Sequence, residues 1–82
     1  MITLVRIEKG IFNPPEIIIN NGDTVQWINE DAQHDHNVNE AYDLFDSGII
    51  KFRDNFSYTF LMVGDYTYNC SACLMKGKVH VK

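Results

Sequence analysis

Basic residues are scarce in this 82-residue chain: seven lysines and arginines stand against eleven aspartates and glutamates, a net charge of −4. Nucleic-acid binding needs a basic face that displaces counterions, so that class of function is excluded. Cysteine is limited to Cys70 and Cys73, too few for a disulfide scaffold and too close in sequence to close a useful loop. No apolar run approaches the roughly 18 residues that a membrane helix requires. No repeat, linker or low-complexity tract breaks the chain, and nothing in it has a sustained helical period. Met1 leads at once into a strand-like run with no signal peptide. The expectation is therefore a cytoplasmic protein, or one whose export signal was replaced by a start methionine.

An apolar content of 45% is ordinary for a folded protein, and the length suits one domain spanning residues 1–82. Ile2–Ile7 reads as a strand closed by Glu8-Lys9-Gly10. Asn13-Pro14-Pro15 marks a turn or a sheet edge, because proline donates no ladder hydrogen bond. Ile17–Ile19 is β-branched, and Asn20-Asn21-Gly22-Asp23 is a turn signal. From Thr24 to Asn29 the pattern alternates, with Val25 and Trp27 on one face. Residues 30–46 are irregular and acidic, and the stretch Ala41–Leu44 has room for one turn of helix. Alternation resumes at Phe56, Tyr58 and Phe60, and again after Gly64. Short alternating runs between turn signals predict an all-β sandwich or barrel.

The chemistry is concentrated near the C-terminus. Tyr66, Tyr68 and Cys70 are two apart and share one face of a strand, which places Cys70 inward at its end. Cys73 and Met75 follow on a loop, and Gly77 precedes the alternation of Val79-His80-Val81. A C-x-x-C pair admits a disulfide or a dithiol redox pair, but a thioredoxin-type pair opens a helix, and here a strand follows. Zinc would need a second matched pair, for which His34 and His36 are a weak substitute. Two thiols beside a methionine favour copper, since soft sulfur donors select it. His36 is the candidate imidazole, with His34 as a competitor two residues away. His80, between two core-facing valines, is expected on the outer face. No nucleophile–base constellation stands out, so the chain reads as a carrier or binder and not an enzyme.

Taken in order, these segments resemble a cupredoxin of the plastocyanin and amicyanin type over nearly the whole chain. The likeness lies in Pro15-Glu16, Gly22-Asp23-Thr24-Val25, Trp27-Ile28-Asn29, His36-Asn37-Val38, Gly64-Asp65-Tyr66-Thr67-Tyr68-Asn69-Cys70 and Met75-Lys76-Gly77-Lys78-Val79. It implies a Greek-key β-sandwich with a mononuclear copper site, His36, Cys70, Cys73 and Met75 as ligands, and Asn37 tying the two ligand-bearing loops together. Cys73 stands where the family has its second histidine, and the Cys70–Met75 loop is one residue shorter than amicyanin's. The implied function is one-electron transfer by a monomer with a redox or copper-transfer partner, a basic one if the acidic stretch steers it. The alternatives are a Cu(I) buffer, chaperone or sensor using Cys70 and Cys73, or a thiol–disulfide module on the same scaffold. By resemblance the compartment would be periplasmic.

Overall fold

The computed structural model describes residues 1–71 and 74–82. They form eight strands and no helix: β1 (Ile2–Glu8), β2 (Ile11–Asn13), β3 (Glu16–Ile19), β4 (Thr24–Asn29), β5 (Asn39–Glu40), β6 (Asn55–Thr59), β7 (Gly64–Asn69) and β8 (Lys76–Val81). One sheet has the order β2-β1-β4-β6 and the other β3-β8-β7-β5. The chain passes repeatedly from sheet to sheet, so β1 pairs parallel with β4 and β3 pairs parallel with β8. Of the sandwich and barrel that the alternation leaves open, the sandwich forms, the Greek-key fold that the resemblance implies.

Burial follows the period of two. Val5 and Ile7 of β1, Val25 and Trp27 of β4, Ile17 and Ile19 of β3, and Val79 and Val81 of β8 all face between the sheets. Fully burying a side chain of this kind contributes about 1.5–3 kcal/mol. Trp27 is the centre of the packing, edge-on to Tyr68 at 5.2 Å between ring centroids and 5.6 Å from Phe45. Two strands are too short to show in the alternation. β2 lies on a sheet edge and contributes Phe12 to the core, and it ends at the cis peptide bond before Pro14. β5 is two residues long and pairs with β7.

The expected helical turn at Ala41–Leu44 does not form. The buried carboxylate of Glu40 instead accepts hydrogen bonds from the backbone N–H groups of Tyr42 (2.7 Å) and Leu44 (3.1 Å). Asp43 takes a φ of 63°, which a right-handed helix does not allow. The local side-chain acceptor outcompetes the helical ladder, and Phe45 is delivered into the core.

Gly77 in β8 lies opposite Tyr68 in β7. A Cβ at Gly77 would overlap the Tyr68 ring at its hydroxyl end, so the tyrosine occupies the space a side chain would need. Burial pushes the Tyr68 phenol up to about 12, and its hydroxyl has no hydrogen-bond partner among the described residues. Gly77→Ala should therefore destabilise the fold by about 1–3 kcal/mol through overpacking. Denaturant melts would show this. Adding Tyr68→Phe should recover only part of the loss, because the ring edge remains in the way.

On the outer face of the second sheet, His80 bridges three strands. Its Nδ1 is 2.8 Å from Asp65 of β7 and its Nε2 is 2.7 Å from Glu16 of β3. The outward placement agrees with the alternation, and the ring is half-buried between two carboxylates. Hydrogen bonds to Glu16 and then Asp65 hold the His80 pKa above its ordinary value, while the bond from His80 lowers that of Glu16. A raised histidine pKa gives stability that is complete below the unfolded value and is lost as pH rises through the folded one. The lowered glutamate contributes above its unfolded value and loses that contribution in acid. Wild-type protein should thus melt higher near pH 6 than near pH 8. A Tm series on His80→Gln should show that part of the difference gone, the exposed pair keeping the effect small.

Candidate metal centre

β4 ends at Asn29, and this buried amide shapes the loop that follows. Its Oδ1 accepts from the Asp31 backbone N–H at 2.7 Å, and its Nδ2 donates to the carbonyls of His34 (3.1 Å) and Ile50 (2.8 Å). The chain then re-enters regular pairing at one bridge, where His36 and Ile50 exchange backbone hydrogen bonds of 3.1 and 2.7 Å. His36 is thereby fixed at the backbone on a short pairing segment beside the second sheet.

Cys70 arrives from the other side. β7 and β8 pair from Gly64 opposite Val81 to Asn69 opposite Lys76, and the hairpin continues one step further through a Cys70 N–H to Met75 carbonyl bond of 3.2 Å. Cys70 and Met75 therefore face each other across the mouth of the hairpin, and both are buried, at 1% and 4% exposure. Asn37 joins the two segments. Its Oδ1 accepts from the Ser71 backbone N–H at 2.8 Å and its Nδ2 donates to the Ser71 hydroxyl at 2.9 Å.

The two segments bring His36 Nδ1 to 3.8 Å from Cys70 Sγ. One ion could bridge that separation with bonds of about 2.0 Å to nitrogen and about 2.3 Å to sulfur. His36 is 7% exposed, so the pair is screened from water. The sulfur of Cys70 is disulfide-bonded, and the thiolate form is reached by reduction. Among the described residues no three histidine, cysteine, aspartate or glutamate side chains converge as a metal cluster. The described donors are one imidazole, one cysteine sulfur and one thioether, a soft set that suits copper. Cys73, expected as a fourth, lies outside the described residues.

One residue of this centre is not singled out by the sequence. Asp31, buried at 5% exposure, accepts from His36 Nε2 at 2.9 Å through Oδ2, and its Oδ1 accepts from the Gln33 N–H at 2.9 Å. The same Oδ2 is 3.2 Å from His34 Nδ1. The bond from His36, then that from Gln33, holds the Asp31 carboxyl down at about 2, so it is a carboxylate at neutral pH. It fixes the His36 tautomer with the proton on Nε2 and the lone pair of Nδ1 turned to Cys70. The acidic run 30–46 holds the signal, but five other acids in it obscure which one turns inward.

His34, the possible competitor, does not share the position of His36. Its side chain is 62% exposed, and the ring centroids of the two histidines are 6.4 Å apart.

Comparison with known proteins places these features in a family. The sequence profile of the copper binding proteins, plastocyanin/azurin family, matches residues 2–82. Amicyanin from Paracoccus denitrificans is 34% identical over 85 residues, which cover 96% of this chain and 64% of the relative. The chain thus spans somewhat under two thirds of that protein's length. An amicyanin variant solved in its reduced Cu(I) form superposes with a TM-score of 0.90 at 34% identity, covering 96% of this chain and 80% of that one. A purple cupredoxin from Nitrosopumilus maritimus superposes with a TM-score of 0.89 at 28% identity, covering 96% and 98%.

Proposed function

Because this chain belongs to the plastocyanin/azurin family of copper-binding proteins, we propose that it holds one copper ion and carries single electrons. In this reading His36, Cys70, Cys73 and Met75 are the ligands, within a single cupredoxin-like domain. The observation that carries it is the approach of His36 Nδ1 to Cys70 Sγ, 3.8 Å apart in space and 34 residues apart in sequence. When bound, copper would supply a one-electron couple.

The remaining work belongs to the polypeptide. Asp31 orients the imidazole of His36, and the Asn37–Ser71 bridge holds the His36 segment against the Cys70 turn. The hairpin sets Met75 beside Cys70. Burial of all three described donors excludes water, which limits solvent reorganisation when charge arrives or leaves. Cys73 adds a second thiolate where the resembling proteins have an imidazole, bringing softness and negative charge together.

The protein acts as a carrier and not an enzyme. Its counterpart is a redox or copper-transfer protein, and the acidic stretch 30–46 suits a basic one. The resemblance to amicyanin supports an extracytoplasmic setting. A second reading, Cu(I) buffering, chaperoning or sensing, is favoured by the second thiol of the C-x-x-C pair.

The test is titration of the reduced protein with copper in each oxidation state, followed by visible absorption and electron paramagnetic resonance. An intense thiolate-to-copper band with Cu(II) and a reversible couple support the electron carrier. Tight Cu(I) binding with no stable Cu(II) form selects the second reading. Uptake of neither ion rejects both.

A further inference from the structure

The three described donors are buried, so copper needs a way in. A cavity of about 210 Å³ borders both His36 and Met75 and is lined elsewhere by Lys9, Gly10, Asp31, His34 and Asp35. We propose that His34 is the capture residue that takes copper from solvent and passes it through this cavity to the buried donors. The inference rests on the copper reading of the same centre.

Three observations support it. His34 is mostly exposed, yet its Nδ1 is tied to Asp31 Oδ2 at 3.2 Å. With Nδ1–H donating to the carboxylate, Nε2 keeps its lone pair for a metal. Next, the ring lies 6.4 Å between centroids from that of His36, and His34, His36 and Met75 line the same cavity, which gives an ion released by His34 a short path to the buried donors. Finally, the carboxylates of Asp31 and Asp35 favour a cation there, and together they outweigh the single opposing charge of Lys9.

A second cavity, of about 310 Å³, also touches His36. Among the described residues its lining contains neither a second imidazole nor a thioether, and the Asn37 amide there is committed to Ser71. Capture at His34 is a station on the way and not the destination. One exposed imidazole completed by water binds weakly and exchanges fast, whereas the centre offers sulfur. No electron moves in the transfer, and the ion keeps its oxidation state.

The experiment measures uptake of aqueous Cu(II) by the reduced, copper-free full chain in a stopped-flow instrument, alongside equilibrium affinity from chelator competition. His34→Ala should slow the second-order uptake by about tenfold while the affinity stays within about twofold of wild type. His34→Gln is the control for structure, because its amide can still donate to Asp31 but has no nitrogen lone pair for copper. It should be as slow as the alanine variant. Unchanged uptake in both variants overturns the inference. So does a loss of affinity that parallels the loss of rate, since His34 would then belong to the resting site. Failure of wild-type protein to take up copper is a separate outcome that removes the functional reading itself.

Discussion

Cys70→Ser protein, reduced and titrated with copper, is expected to show no intense visible band and to lose affinity by at least roughly a thousandfold, about 4 kcal/mol. A serine hydroxyl does not ionise at neutral pH and is a hard donor, so it replaces neither the charge nor the softness of a thiolate. Of the described candidate ligands Cys70 is the most enclosed, at 1% exposure, and it is the sulfur that His36 faces at 3.8 Å. Met75, across the mouth of the hairpin, offers only a neutral thioether. The same burial means the hydroxyl also costs about 1–3 kcal/mol of stability unless it finds a partner. Thermal melts without copper must therefore accompany the titration, so that unfolding is not mistaken for loss of a ligand. A folded Cys70→Ser protein that binds copper with wild-type affinity would overturn the proposed centre.

Much of the scaffold can be read directly from the chain because its core obeys a period of two. Val5 and Ile7, Val25 and Trp27, and Val79 and Val81 each stand two apart and each face inward. The elements that escape are those where pairing is too short to leave a pattern, as in β2 and β5, or where one side chain overrides local preference, as Glu40 does at Ala41–Leu44. The proposed metal centre divides the same way. His36, Cys70 and Met75 stand out by residue type and by resemblance, and the pairing of β7 with β8 explains why Cys70 and Met75 meet. The resemblance also implies Asn37 as a link between the two segments, and the link is made through Ser71. Asp31 is not legible, since its inward turn depends on the Asn29 amide holding its backbone. That constraint is set by tertiary structure and has no sequence period.

Asp31 should nevertheless matter nearly as much as a ligand. Its carboxylate accepts the Nε2–H of His36 at 2.9 Å inside a water-poor pocket. A carboxylate behind a metal-binding imidazole fixes its orientation and makes it a stronger donor, and loss of such a partner typically lowers metal affinity about 10–100-fold. Asp31→Ala should fall in that range. It also leaves the His36 N–H without this acceptor, at a cost of about 1–3 kcal/mol in stability. Asp31→Asn separates geometry from charge. Its amide oxygen can take the same hydrogen bond, so affinity should fall less than in the alanine variant. The missing negative charge should still disfavour Cu(II) relative to Cu(I), and the reduction potential should rise. Voltammetry of the two variants, with affinity measured by chelator competition, checks both statements. If Asp31→Ala matched wild type in affinity and potential alike, the carboxylate would be a loop-building residue alone. Its bonds to Gln33 and His34 would then account for its burial without any part in tuning His36.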